Sequence, residues 1–305
     1  MRSLVTGVDG FMGSWLAEAL AAAGDTVFGT TRRASDSPTH VTKYRCEITD
    51  TERVAQVVRE TSPDRIFHLA AINNLAQSFA APRTTFDTNL GGIVNVLEAA
   101  RRHVPGACLV SVGSSAEYGK TSALATRLEE RDPLAPTTPY GVSKAAQGQL
   151  SAVYAQAYGL RTAHVRPFAV VGPRKRGDVL SDFCRGIVDI ERGAASELRV
   201  GNLEAVRDFV DVRDCAAALI TISKECSPGT LVNLCTGNEV SLRHILEVLR
   251  GLSICNFDVK VDAARNRVTD DLRIVGDPSR LLELGHMPKH SLRETLELTL
   301  NSWRG

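Results

Sequence analysis

Short apolar runs rich in Val, Ile, Leu and Thr recur through the first two thirds of the chain, each followed by a longer stretch of helical spacing. Segments 3–6, 26–31, 65–69, 108–112, 162–166 and 231–234 read as strands, and 13–23, 82–103 and 140–158 as helices. Gly24 and Gly159 stand where helix C-caps are expected. Thr49-Asp50-Thr51-Glu52 spells a capping box that opens a further helix reaching about residue 61. Strands alternating with helices in this way predict an α/β protein, a doubly wound parallel sheet with helices on both faces.

The rhythm loosens after Pro167. Segment 173–178 is a basic loop containing Gly and Pro, and from Ser241 onward the helices shorten around one isolated strand near 256–261. Ser291-Leu292-Arg293-Glu294 is a second capping box, opening a last helix that ends near Trp303. The pattern divides the chain into a larger unit, 1–168 plus 206–236, and a smaller C-terminal α/β lobe, 169–205 plus 237–305.

Composition narrows the picture. Hydrophobic residues make up 43% and charged residues 23% of 305, an ordinary globular balance. Thirty-six basic residues against 35 acidic ones give a net charge of +1, so no overall field would gather nucleic acid or an anionic membrane. No apolar run approaches the ~18 residues of a membrane span. The chain leads straight into a strand, without a signal-peptide layout. Its seven cysteines are scattered with no Cys-x-x-Cys pair, the pattern of reduced thiols filling the core of a cytoplasmic protein.

Candidate chemistry begins with Gly7, Gly10 and Gly13, spaced three apart after the first strand and opening a helix. The first permits a tight turn, the second lets backbone approach a pyrophosphate, and the third packs helix against strand. This context makes the larger unit a Rossmann-type dinucleotide-binding domain. The second strand ends in Arg32 and Arg33, where an NAD site would carry an acid for the ribose 2′-hydroxyl. Arginine pairs with a 2′-phosphate, so NADP(H) is favoured over NAD(H), although both side chains also suit a solvated surface.

Tyr140 and Lys144 share one face of a helix. An ammonium one turn away would stabilise the phenolate and lower the tyrosine pKa. Upstream, Ser111 lies near the end of the strand at 108–112 and Ser114 and Ser115 follow it, so that a hydroxyl can enter the cleft at the sheet's carboxyl edge beside Tyr140. Seven histidines are spread through the chain, but no cluster suggests a metal site. His286 and His290 are separated by Pro288, and His68 reads as a packed core residue.

With these motifs the chain resembles the extended short-chain dehydrogenase/reductases over essentially its whole length, in the branch acting on GDP-linked 6-deoxyhexoses. The resemblance rests on residues 7–13, His68-Leu69-Ala70-Ala71, the 113–119 segment Gly-Ser-Ser-Ala-Glu-Tyr-Gly, Tyr140 to Lys144, and stretches 200–214 and 275–280. It implies Ser114, Tyr140 and Lys144 as the catalytic set. Gly7, Gly10, Phe11, Met12, Gly13, Leu69, Ala70, Ala71 and Asn89 would line the cofactor site. Ser115, Arg207, Arg267 and Asp270 would face a nucleotide-sugar, and the Arg174-Lys175-Arg176 run could add a phosphate contact, although a solvated loop explains it equally. It also implies a homodimer formed through the helices at 82–103 and 140–158, whose apolar faces ordinary core burial would equally explain.

Two departures stand out. Dehydratases resembling this chain carry an acid two residues after the catalytic hydroxyl, where this chain has Ala116; Glu117, one place on, would face the other way in an extended segment. The family's Phe-Asn-x-x-Gly-Pro is here Phe168-Ala169-Val170-Val171-Gly172-Pro173, without the Asn. The sequence thus favours a reductase of a 4-keto sugar. An epimerase or dehydratase that keeps its nicotinamide bound, and a non-catalytic cofactor sensor, are the rivals.

Overall fold

The computed structural model describes residues 1–32, 40–123, 125–225, 227–262, 264 and 272–305. Among them, Arg2–Thr6 (β1), Thr26–Thr31 (β2), Val41–Arg45 (β3), Arg65–His68 (β4), Cys108–Val112 (β5) and Arg161–Pro167 (β6) join Thr230–Leu234 in one parallel sheet. Its order is β3-β2-β1-β4-β5-β6 followed by Thr230–Leu234. The chain winds outward from β1 to β3 and then returns to place β4 against β1. That reversal opens a crevice at the strands' carboxyl ends, where ligands bind in such sheets. The Rossmann-type expectation is met.

Alternation along the strands builds two cores. Val5, Phe67, Val110 and Val165 face the helices Phe11–Ala22 and Val212–Glu225, whereas Leu4, Ile66 and Leu109 face Thr51–Thr61 and Gly92–His103. Toward the carboxyl ends the second face turns polar. Thr6, His68, Ser111 and His164 are register partners across four neighbouring strands and form one buried row. The Pro139–Tyr158 helix runs over this face.

Several elements differ from the sequence pattern. Strand β3 went unpredicted because, at the sheet edge, its side chains are only half buried and it lacks an apolar run. The helix at 51–61 is capped by Asp50, whose carboxylate accepts from the Arg53 N–H, and not by Thr49. The helix expected over 82–103 contains a π-helical turn, Asp87–Gly91. The strand near 256–261 is not isolated, since Asp258–Val261 pairs in parallel with Glu197–Val200.

A separate apolar cluster, including Phe183, Ile187, Leu198, Leu249 and Leu296, lies beneath the helices Val179–Glu191, Leu242–Leu252 and Leu292–Arg304. The last helix opens with the capping box read from the sequence. Val206–Arg207 pairs with Val240–Ser241 and Arg273–Ile274, and Phe209–Asp211 with Ala169–Val171. Asp208, wholly buried between these pairs, accepts from the backbone N–H groups of Thr236, Gly237 and Gly276 and ties three loops together at the crevice. Among the described residues, no helix is long and apolar enough to cross a membrane.

Candidate active site

The glycine loop is built as its spacing predicts. Gly7 has φ 71°, a conformation that L side chains avoid, and a Cβ there would come within 3.0 Å of the Ala70 backbone. A Cβ on Gly13 would lie 2.3 Å from the Gly7 carbonyl oxygen. The loop is held to the sheet by Gly7 and Val8 N–H groups donating to the Thr30 carbonyl (3.1 and 3.2 Å). Gly10 caps the helix Phe11–Ala22 without a side-chain hydrogen bond, so this N-terminus is open to an anion. On the other side of the crevice, Thr6 Oγ1 accepts from the N–H groups of Leu69 and Ala70, both at 3.2 Å. A backbone cradle that side chains would fill fits the pyrophosphate of a dinucleotide.

At the adenosine end, Arg32 is exposed beyond β2, while Arg33 lies outside the described residues. The sequence reading missed Lys43 on β3, which ion-pairs with Asp9 inside the glycine loop. Asn89 sits fully buried in the π-helical turn. Its side-chain oxygen accepts from the Ile72 N–H (2.8 Å), and its nitrogen donates to the Ile72 carbonyl (3.1 Å) and Ser143 Oγ (2.9 Å). Asn89 therefore ties the loop after β4 to the Pro139–Tyr158 helix, using up its amide in doing so. Such π turns recur at functional sites.

Tyr140 and Lys144 lie one turn apart on that helix, which Thr138 caps and Gly159 ends in a left-handed conformation. The Ser114 hydroxyl hydrogen-bonds to the Tyr140 side chain, so the structure brings the predicted pair together. The expected lowering of the tyrosine pKa is absent. Burial pushes Tyr140 up to about 12, with the Ser114 hydrogen bond opposing this and the Glu117 charge adding to it. Lys144 Nζ is instead turned onto the Val112 carbonyl (2.7 Å) and Gln147 Oε1 (3.1 Å). Burial brings Lys144 down to about 8, against the opposing pull of Glu117.

Residues 115–117 form a 3₁₀ turn and not an extended segment. Ser114 caps it, its Oγ accepting from the Ala116 N–H (3.1 Å), and Ser115 is its first residue. Glu117 is fully buried. Its carboxylate meets His164 Nε2 (2.9 Å) and Arg166 Nε (2.8 Å). Burial raises its pKa, but those two partners and the Ser114 N–H bring it below the ordinary carboxylate range. Sequence reasoning passed over His164 and Arg166 because they lie nearly fifty residues from Glu117. The sequence carries a signal all the same: Thr162, His164 and Arg166 alternate along a strand whose other face is apolar.

His68 is as buried as expected but is also part of the polar row. Thr6 Oγ1 accepts two backbone N–H groups, so its own proton goes to His68 Nδ1 (3.0 Å) and the ring proton sits on Nε2. That Nε2 is buried without a protein partner. Burial first, and the nearby Lys144 charge second, push His68 down to about 3.

The substrate side is reached only in part. Arg207 lies in the short strand Val206–Arg207 and donates to the Val206 carbonyl (2.9 Å). Arg267 and Asp270 fall outside the described residues. In this structure the Arg174 guanidinium pairs with Glu18 (2.7 Å) and stacks over Trp15, 4.4 Å from the ring centre, clamping the 173–178 loop to the first helix. A neighbouring carboxylate thus takes the charge expected to meet phosphate.

Comparison with known proteins agrees with this geometry. The family model for GDP-mannose 4,6 dehydratase matches residues 4–299. A GDP-6-deoxy-D-mannose reductase of Pseudomonas aeruginosa is 28% identical over 305 residues, covering 99% of this chain and 97% of its own. A GDP-mannose 4,6-dehydratase of Vibrio cholerae is 29% identical, covering 81% of this chain and 70% of its own. Among solved structures, RMD from Pseudomonas aeruginosa complexed with NADPH superposes with TM-score 0.87 at 26% identity, covering 100% of this chain and 99% of that one. The Thermus thermophilus UDP-glucose 4-epimerase complex with NAD gives 0.88 at 30% identity, with the same coverage. With its nicotinamide-binding crevice and its Ser114, Tyr140 and Lys144, the chain belongs to the GDP-mannose 4,6 dehydratase family, within the extended short-chain dehydrogenase/reductase enzymes.

Proposed function

We propose that the enzyme is an NADPH-dependent reductase of the C4 carbonyl of a GDP-linked 4-keto-6-deoxyhexose, giving a product of the GDP-D-rhamnose type. The observation carrying this reading is the carboxylate of Glu117. In a dehydratase an acid beside the catalytic hydroxyl works on the sugar; here that position is Ala116, and Glu117 is locked beneath the site by His164 and Arg166. A reduction needs no such acid. It needs a proton donor, and a phenol held near 12 remains protonated at neutral pH.

Bound NADPH would supply the hydride. Ser114 hydrogen-bonds the carbonyl oxygen and polarises it, Tyr140 donates its proton to the alkoxide, and Lys144, mostly charged at pH 7, steadies the phenolate left behind. Arg32 and Arg33 would favour the 2′-phosphate. Arg207, Arg267 and Asp270 are proposed to hold the nucleotide diphosphate, in a cytoplasmic homodimer. The similarity to a GDP-6-deoxy-D-mannose reductase over the whole chain supports the substrate class.

The test begins with the nicotinamide released when fresh protein is heat-denatured, followed by NADPH oxidation with GDP-4-keto-6-deoxy-D-mannose. An empty or exchangeable NADP(H) site with stoichiometric NADPH consumption is the expected result. Tightly held NAD(H) with no net oxidation would replace this reading by an epimerase or dehydratase cycle, as the likeness to the UDP-glucose 4-epimerase structure would then suggest.

A further inference from the structure

We propose that Glu117 is a positioning residue that fixes Ser114 and Lys144 relative to each other from beneath the site. This rests on the catalytic roles proposed above for those two side chains.

One arm is direct. Glu117 Oε1 accepts from the Ser114 N–H at 2.9 Å, so the residue that carries the catalytic hydroxyl is held by its own backbone. The second arm runs through side chains. His164 Nε2 donates to Glu117 Oε1 (2.9 Å), and Ser111 Oγ meets His164 Nδ1 (3.2 Å). Gln147 Nε2 donates to Ser111 Oγ (2.7 Å), and Gln147 Oε1 accepts from Lys144 Nζ (3.1 Å). Arg166 Nε on Glu117 Oε2 (2.8 Å) balances the charge, and its Nη1 is anchored on Tyr118 Oη and the Glu130 carbonyl, both at 3.1 Å.

Room for this cluster is made by glycines. A Cβ on Gly113 would lie 2.2 Å from Glu117 Oε1 and 2.4 Å from His164 Nε2, and one on Gly148 would lie 2.7 Å from the His164 ring. A buried ion pair is weak evidence of stabilisation, because removing both charges from water costs about as much as their attraction returns. Its chief product is geometry: one arm ends on the backbone that carries the Ser114 hydroxyl, the other on Lys144 Nζ. The carboxylate also sets charge: burial lowers the Lys144 pKa and Glu117 raises it, while Tyr140 is raised by both. His68, whose pKa the Lys144 charge helps to depress, stays neutral through the working range.

Two variants separate the hold from the charge. Glu117→Gln keeps an acceptor for Ser114 but removes the charge. Glu117→Met with Arg166→Met removes the hold without stranding a buried cation. Steady-state reduction of GDP-4-keto-6-deoxy-D-mannose by NADPH is followed from pH 6 to 10, with thermal melts and amide exchange at Ser114. Glu117→Gln should move the alkaline limb of kcat to lower pH, with the plateau within about tenfold of wild type. The double variant should lose about 30- to 100-fold in kcat at unchanged KM, and its Ser114 amide should exchange faster. The proposal is overturned if a folded double variant keeps kcat within threefold, if KM and kcat fall away together, or if the Glu117→Gln limb stays in place. Ser114 exchange needs no substrate, so it tests the hold even if wild type reduces no keto-sugar, an outcome that would sink the proposed function alone.

Discussion

The two sides of the crevice do opposite things with the same sheet. On the β1–β2 side, the crevice is lined by backbone: three glycines, an open helix end and a carbonyl that pins the loop. On the β5–β6 side it is lined by buried side chains, with Ser111, Glu117, Gln147, His164 and Arg166 linked by hydrogen bonds to Ser114 and Lys144. The difference follows from the tasks. A pyrophosphate is held by N–H groups that any residue supplies, provided no Cβ intervenes. Proton transfer needs particular functional groups at fixed distances, and these must be held by other polar groups once water is excluded.

Separating the two sides by mutation gives the largest expected effect first. Tyr140→Phe should lower kcat about a thousandfold while leaving the NADPH dissociation constant within twofold of wild type. Comparable losses in both would mean that the catalytic side also builds the cofactor site.

Acid should expose the next contrast, because His68 is buried in the polar row that runs between the two sides of the crevice. His68 is pushed to about 3 from 6.5. Between those values the unfolded chain holds a proton that the folded chain does not. Stability should therefore fall as pH drops below 6.5, by at most roughly 4 kcal/mol near pH 3. Urea midpoints at pH 7.5 and 4.5 measure this, and His68→Gln should flatten the difference.

On the glycine side, Gly13→Val should cost about 1–3 kcal/mol of stability from overpacking against Gly7. It should also erase most of the thermal shift that NADPH gives wild type, leaving the pH dependence of urea unfolding intact. The smallest effect sharpens the cofactor preference. Arg32→Ala with Arg33→Ala should raise the NADPH dissociation constant about tenfold and leave that for NADH unchanged, as titration of cofactor fluorescence would show.

The legible part of the site was its local part. Gly7, Gly10 and Gly13 sit within one turn, and Tyr140 and Lys144 within another, so their geometry is implied by spacing alone. The Ser291 capping box held for the same reason, whereas Thr49 lost its place because Asp50 competed for the cap one residue later. Strand β3 escaped because an edge strand needs no apolar run. The π turn at Asn89 escaped because it exists to aim one amide at Ile72 and Ser143, partners that no local pattern reveals. The Arg174 pairing escaped for a similar reason: a basic loop shows its charge in the sequence but not the Glu18 that meets it.

By itself, then, the sequence determined the alternation of strands and helices, the glycine cradle and the one-turn spacing of Tyr140 and Lys144. Hydrophobic period and backbone sterics act over a few residues and leave their mark in order. Only the tertiary structure decided where the charges went. It turned Lys144 onto Val112 and Gln147, held Tyr140 protonated by burial, and buried Glu117 against His164 and Arg166. Those outcomes depend on which groups exclude water and which face each other across neighbouring strands, and such contacts form only when distant segments pack.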